Sequence, residues 1–190
     1  MGLIRRTFAY LDESLFKKLY ITFVRPHIEY AQSVWSPHLL KYIKQLENVQ
    51  IRATAQVDGL KNMEYSERLK KLDLPTLVYR RKRGDMIEVW KHFNVYDPET
   101  LSPNFKRNVR NIRSHHHSQQ LTLNRPRDGK RGVQANSFYF RAAEEWNGLS
   151  EAVVQAEEIN KFKNELDESW NHHPLKFTME EIDERFSEAD

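Results

Sequence analysis

The stretch from Tyr20 to Leu39, YITFVRPHIEYAQSVWSPHL, is a series of short helical patterns interrupted by two prolines. Pro26 has no backbone N–H and cannot continue a helical hydrogen-bond ladder, but it suits the first turn of a new helix. The second break is predicted at Ser36-Pro37. Aromatic residues accompany each piece, so the stretch predicts a corner built from three short, packed helices.

The flanking sequence predicts further helices. Upstream, Asp12 is a predicted N-cap, and Leu15, Leu19 and Phe23 recur every four residues on one apolar face. Downstream, residues 38–57 form the clearest helical pattern, and residues 66–72 and 75–93 predict two more helices. The predicted buried stripe of the helix over 38–57 contains Leu39, Ile43, Leu46, Val49, Ala53 and Val57.

The chain changes character after residue 93. Residues 94–136 contain several turn signals, such as Asp97-Pro98 and Asp128-Gly129, and many arginines. A short strand is predicted from Leu121 to Asn124, with residues 130–135 as a candidate partner. We therefore predict a mainly α fold: a helical bundle over 1–93, a basic linker over 94–136 that allows one β-hairpin, two helices over 137–171, and an acidic tail over 172–190.

Composition excludes several classes of protein. The 190 residues include no cysteine, which rules out disulfides and thiolate zinc sites. No run of about 18 apolar residues predicts a membrane span, and the N-terminus lacks the apolar core of a signal peptide. We expect an intracellular protein, nuclear or cytoplasmic, with no membrane partner.

Charge is unevenly distributed along the chain. Residues 1–93 hold 17 Lys and Arg against 10 Asp and Glu, and residues 94–141 hold 9 against 3, whereas residues 142–190 hold 4 against 14. A basic body suggests a polyanionic partner. The alternative is that the acidic end neutralises the basic surface within the molecule.

Basic side chains are the candidate nucleic-acid contacts. Three of them can share one helix face that follows a phosphate backbone, four form a run that cannot all point one way, and the rest lie in an arginine-rich segment of a kind that commonly binds RNA. For each group the alternative is an ordinary solvated surface, and for the run also pairing with Asp85 or Glu88. The candidates are Lys41, Lys44 and Arg52; Arg80, Arg81, Lys82 and Arg83; and Arg107, Arg110, Arg113, Arg125, Arg127, Lys130 and Arg131.

Other chemistry finds little support in the sequence. The histidines at 115–117 are adjacent, and adjacent histidines rarely converge on one metal ion, so we predict no metal site. The four tryptophans could stack on bases, but their helical spacing predicts that they pack in the core. No nucleophile motif and no glycine-rich phosphate loop is present, which predicts neither an independent enzyme nor a small-molecule substrate.

Several short motifs, taken in their order along the chain, resemble a segment of a known protein family. They are Val24-Arg25-Pro26, Tyr30-Ala31, Val34-Trp35-Ser36-Pro37, LENVQIRAT at 46–54, Leu74-Pro75-Thr76-Leu77, AAEEWNGL at 142–149 and FKNELD at 162–167. Together they resemble the C-terminal part of the reverse transcriptases of non-LTR retrotransposons, of the jockey-like kind. The resemblance covers about residues 2–170 and begins near the thumb, a helical subdomain that grips the template–primer duplex.

The resemblance implies binding without chemistry. In that family, paired aspartates of the palm hold two magnesium ions, but this sequence contains no Asp-Asp pair. No catalytic residue and no cofactor therefore carries over, and the chain is expected to lack polymerase activity by itself. The implied partner is RNA or an RNA–DNA duplex, and the oligomeric state stays open. The alternative is a helical protein-interaction module or a non-functional remnant of the element.

Overall fold

A computed structural model of the chain describes residues 6–8, 10–96, 105–107, 121–123, 137–180 and 182. Helix α1 spans Glu13–Leu19, and Asp12 caps it as predicted, since the backbone N–H of Leu15 donates to Asp12 Oδ1 over 2.8 Å. The fold is mainly α, as the sequence predicts.

A π-helical turn, Tyr20–Val24, connects α1 to α2, which spans Arg25–Glu29. Pro26 lies in the first turn of α2 as predicted, but the chain enters α2 through the π turn rather than through a break. The N–H of Arg25 donates five residues back, to the carbonyl of Tyr20. This change of register beside Pro26 lets the helix continue where a regular α-helix would lose a bond and clash with the proline ring.

Helix α3, Gln32–Trp35, follows a reversal at Ala31, whose φ of 51° lies in the left-handed region. It ends before Ser36-Pro37 as predicted. Helix α4 then spans Leu40–Thr54.

The buried face of α4 differs from the predicted stripe. Leu39 and Val49 are exposed, whereas Glu47 and Gln50 are buried beside Ala53 and Thr54. Apolar spacing predicted the position of the helix but not its buried face. That face is determined by hydrogen bonds of Glu47 and Gln50 as well as by apolar area.

Two further helices agree with their predicted positions. Helix α5 spans Tyr65–Leu72, ends at Asp73 with φ of 48°, and is followed by α6, Leu77–Asn94. Apolar side chains of α1, the π turn, α4, α5 and the segments on either side of α5 form one core, which includes Phe16, Tyr20, Ala53, Val57, Leu60, Leu69, Leu72 and Leu74.

The described residues fall into two compact units. The first unit contains those up to Arg81 together with those from His173 onward, and the second contains those from Lys82 to His172. The division between the two units lies within α6. Leu175 and Ile182, from the segment predicted as an acidic tail, are buried against Val78.

In the second unit, strands β1, Phe105–Arg107, and β2, Leu121–Leu123, pair antiparallel, with Lys106 opposite Thr122. The strand predicted at 121–124 is confirmed over Leu121–Leu123, where it pairs with β1. The candidate partner, residues 130–135, lies outside the described residues. The described part of this unit also contains helices α7, Phe138–Asn147, α8, Glu151–Val154, and α9, Ile159–Ser169. The described helices include none whose length and apolar character would let it cross a membrane.

Candidate nucleic-acid interface

The inner face of α4 is held in place by a buried amide. Tyr20 donates its hydroxyl proton to Gln50 Oε1 over 2.8 Å, and Gln50 Nε2 donates to the Tyr65 hydroxyl (3.1 Å) and to the carbonyl of Pro75 (3.0 Å). A buried amide with its partners satisfied resists rotation, because any other orientation would leave polar groups unpaired. Gln50 therefore fixes α4 against three other segments of the first unit.

Glu47 joins α4 to the start of α6. Both carboxylate oxygens accept from the N–H of Leu77 over 3.1 Å, and Oε1 also accepts from the Tyr65 hydroxyl. Burial raises the pKa of Glu47, although these hydrogen bonds and the nearby Arg81 charge act in the opposite direction. The carboxylate occupies a helix N-terminus, where unpaired N–H groups favour negative charge.

The outer face of α4 carries three exposed cations, Lys41, Lys44 and Arg52, which we call the cation row. At 100° per residue, Lys41 lies on the side of α4 opposite the buried Gln50. The three cations span about 80° of the helix circumference and about 16 Å along its axis. A rigid helix with this spacing can contact several phosphates of one strand. The structure brings these three predicted residues together on one surface.

The predicted run Arg80–Arg83 is largely engaged within the protein. Arg80 donates from Nε and Nη2 to the two oxygens of Glu29, each over 2.8 Å. Arg81 is buried, with its charge near Glu47. These two side chains therefore stabilise the first unit instead of forming an open basic surface.

The other two members of the run pair inside the second unit. Lys82 forms an ion pair with Glu145, and Arg83 forms a bidentate pair with Asp167 at 2.6 and 2.7 Å. Asp85, one of the expected partners, binds Arg141 at 2.7 and 3.2 Å. The partners seen for Lys82 and Arg83 come from helices distant in sequence.

The remaining candidates cannot be placed around this surface. Arg107 belongs to β1, while residues 110, 113, 125, 127, 130 and 131 lie outside the described part of the chain. The histidines at 115–117 lie outside it as well. Among the residues that are described, no three His, Asp or Glu side chains are grouped as a metal ion would need.

Three of the four tryptophans are core residues as predicted. Trp90, Trp146 and Trp170 are buried; Trp90 Nε1 donates to the carbonyl of Ala156 over 2.9 Å, and the Trp146 ring stacks on Phe162. Trp35 is different, since it is 38% exposed and donates to the carbonyl of Tyr30. Its predicted burial was wrong, because α3 is a single turn that buries none of its residues.

Sequence reasoning missed a set of exposed apolar residues that lie close to the cation row in sequence. Phe23 was predicted to share a buried face with Leu15 and Leu19, but the π turn adds a residue to the helical turn and leaves Phe23 exposed. The spacing of Phe23, Tyr30 and Val34, at seven and four residues, was the available signal. We call the whole set the aromatic surface, and its members are Phe23, Tyr30, Val34, Trp35, Leu39 and Tyr42.

Comparison with protein families, curated proteins and solved structures found no match to this chain. The resemblance to reverse transcriptases therefore stays a prediction that depends on the quoted motifs.

Proposed function

We propose that the chain is the thumb and downstream part of a non-LTR retrotransposon reverse transcriptase and binds template–primer duplex or element RNA. The observation that carries this proposal is the cation row on the outer face of α4. The motifs of the resemblance and the mainly α fold support it. The chain would contribute binding and no chemistry of its own, because its sequence contains no Asp-Asp pair.

Contact with phosphates accounts for the type and placement of these residues. Lys and Arg neutralise phosphates and release counterions, which gives affinity without base recognition. Because Gln50 and Glu47 fix the opposite side of α4, the helix that carries the three cations needs little reorganisation to bind. A fixed row of charges suits a duplex, whose phosphates are regularly spaced.

The test is fluorescence anisotropy of a labelled RNA–DNA hybrid with the full chain, at about 50 and about 200 mM salt. The variant Lys41→Gln/Lys44→Gln/Arg52→Gln should bind more weakly and reduce the salt slope by about 2–3, which corresponds to three lost phosphate contacts. The matched control is Lys18→Gln/Lys70→Gln/Lys161→Gln, which removes the same charge from exposed positions elsewhere. Equal losses in both variants would show that only net charge matters and would contradict the proposal.

A helical protein-interaction module is the second candidate, and the aromatic surface is the observation that favours it. Apolar contact with a protein depends weakly on salt, whereas duplex binding weakens steeply. The same salt titration therefore separates the two functions.

A further inference from the structure

We propose that the aromatic surface binds unpaired bases of single-stranded nucleic acid, in addition to the phosphate contacts of the cation row. This inference rests on the proposed function and adds a ligand class to it. It concerns the segment that passes from the π turn through α2 and α3 to the first turn of α4.

The exposure of these side chains is unusual for their type. Val34 is 85% exposed, Tyr30 80%, Phe23 60% and Tyr42 49%. Large apolar side chains left in water at several neighbouring positions indicate a binding surface rather than scattered surface residues. Successive members are separated by at most seven residues, and we call the segment that carries them, from Phe23 to Tyr42, the strip.

The strip is held outward by polar contacts on its inner side. Glu29 binds Arg80, and Gln32 Nε2 donates to the carbonyl of Arg81 over 3.1 Å, so α2 and α3 are both attached to the start of α6. Trp35 is oriented by its hydrogen bond to the carbonyl of Tyr30. The backbone of α2 and α3 and the Trp35 ring are thus positioned before any ligand arrives, which lowers the entropy cost of binding.

Charge favours an anionic ligand at this strip. Between Ile21 and Leu46 the sequence contains a single acidic residue, Glu29, and its carboxylate is occupied by Arg25 and Arg80. Lys41 and Lys44 are exposed at the α4 end of the strip. A ligand that carries both negative charge and flat apolar faces therefore fits the strip best.

Unpaired bases have these properties and duplex bases do not. In a duplex the face of each base is covered by its neighbours, whereas a single strand can place its bases on aromatic rings while its phosphates contact lysines. The neighbouring cation row supplies the charge that would follow the backbone. The geometry therefore points to a single strand next to a duplex contact.

The experiment uses the full chain and two labelled probes, an oligo(U) RNA of about 12 nucleotides and an RNA–DNA hybrid. Phe23→Ala/Tyr30→Ala should weaken oligo(U) binding about 10-fold or more, since each stacked base contributes substantially, and should change hybrid binding less than about 2-fold. Tyr30→Phe, which keeps the ring, should bind oligo(U) like the parent. Tyr10→Ala, at another exposed tyrosine, is the matched control.

Each outcome decides the inference separately from the proposed function. If the double variant binds oligo(U) as the parent does while the hybrid still binds, the inference is wrong and the proposed function stands. If the parent binds neither probe, both fail. Competition by poly-glutamate as strong as that by oligo(U), or a dimer that Phe23→Ala/Tyr30→Ala dissociates, would assign the surface to protein and overturn the inference.

Discussion

Glu29 is a carboxylate shared by two arginines, Arg25 and Arg80, and all three side chains are mostly buried. Burial alone would raise the pKa of Glu29, but the hydrogen bonds and charges of Arg80 and Arg25 outweigh it and lower the pKa. Because the folded-state pKa is lowered, the contribution to stability is present above the unfolded pKa of about 4.3 and is lost as pH falls through the folded pKa.

We predict that Glu29→Gln lowers the free energy of unfolding by about 1–3 kcal/mol at neutral pH, because it leaves two mostly buried cations without their partner. The difference should shrink at acidic pH, where the parent carboxylate becomes protonated as well. Urea unfolding at both pH values measures this. Glu67→Gln, at an exposed position, is the control and should change stability by less than about 0.5 kcal/mol.

Glu47 should show the opposite dependence on pH, because its pKa is raised by burial. A raised folded-state pKa gives full stability below the unfolded pKa and a loss as pH rises through the folded pKa. We predict that Glu47→Gln abolishes this loss of stability. The loss amounts to about 1.4 kcal/mol for each unit between the unfolded-state pKa and the folded-state pKa of Glu47. Urea unfolding between pH 4 and neutrality, read as the difference between parent and variant, tests the sign. A difference that grows in the parent's favour with rising pH would contradict it.

Residue identities in the sequence predicted charge but not pairing. The run at 80–83 was recognised as basic, yet its partners Glu29, Glu145 and Asp167 come from elsewhere in the chain. Nothing local distinguishes a cation that pairs from one that faces water. The cation row could be predicted because its residues lie on one helix, where spacing alone fixes their relative directions.

At the scale of elements, α6 and α3 give opposite environments to a tryptophan. Trp90 is 4% exposed and packs against Phe162, whereas Trp35 projects from a single turn. We predict that Trp90→Ala costs about 3–5 kcal/mol of stability. Trp35→Ala should cost about 1–2 kcal/mol, for its partial burial and one hydrogen bond. Denaturant unfolding followed by circular dichroism measures both, and equal losses would contradict the assignment.

The helices were predictable because caps, prolines and apolar spacing act locally. Asp12, Pro26 and Ser36-Pro37 all lie where the sequence placed a boundary. The π turn was not predictable from periodicity. It has one residue more than an α-helical turn, which changes the side chains that face inward, and no residue type in the sequence marks that change. That is why Phe23 was assigned to the core and the aromatic surface was missed.

At the scale of the whole molecule, the end of the described chain returns to the first unit. The N–H of Thr76 donates to the carbonyl of Lys176 over 2.9 Å, and the Thr76 hydroxyl donates to the carbonyl of Leu175 over 2.6 Å. These contacts link positions 99 residues apart for Thr76 and Leu175, so no local pattern reveals them. Composition predicted an acidic tail over residues 172–190, whereas Leu175 and Ile182 of this segment pack in the core of the first unit.

Two truncations separate the packed half from the acidic end. Ending the chain after Asn171 removes Leu175 and Ile182, both buried, and we predict a loss of about 3–6 kcal/mol for the first unit. Ending it after Ile182 removes four acidic residues and one arginine without touching these contacts, and should leave the unfolding transition unchanged. Urea unfolding of both forms measures the contrast.

The chain that ends after Ile182 also tests whether the acidic end competes with nucleic acid for the basic surface. Acids tethered to the same chain act at an effective concentration set by the tether. Each exposed pair contributes only about 0–1 kcal/mol, but several together can reach the roughly 1.4 kcal/mol that changes affinity 10-fold. We predict that the chain ending at Ile182 binds the RNA–DNA hybrid up to about 10-fold more tightly at about 50 mM salt. The gain should shrink near 150 mM, where the screening length is about 8 Å. A gain of the same size at both salts, or none at either, would show that the acidic end does not compete electrostatically for the cation row.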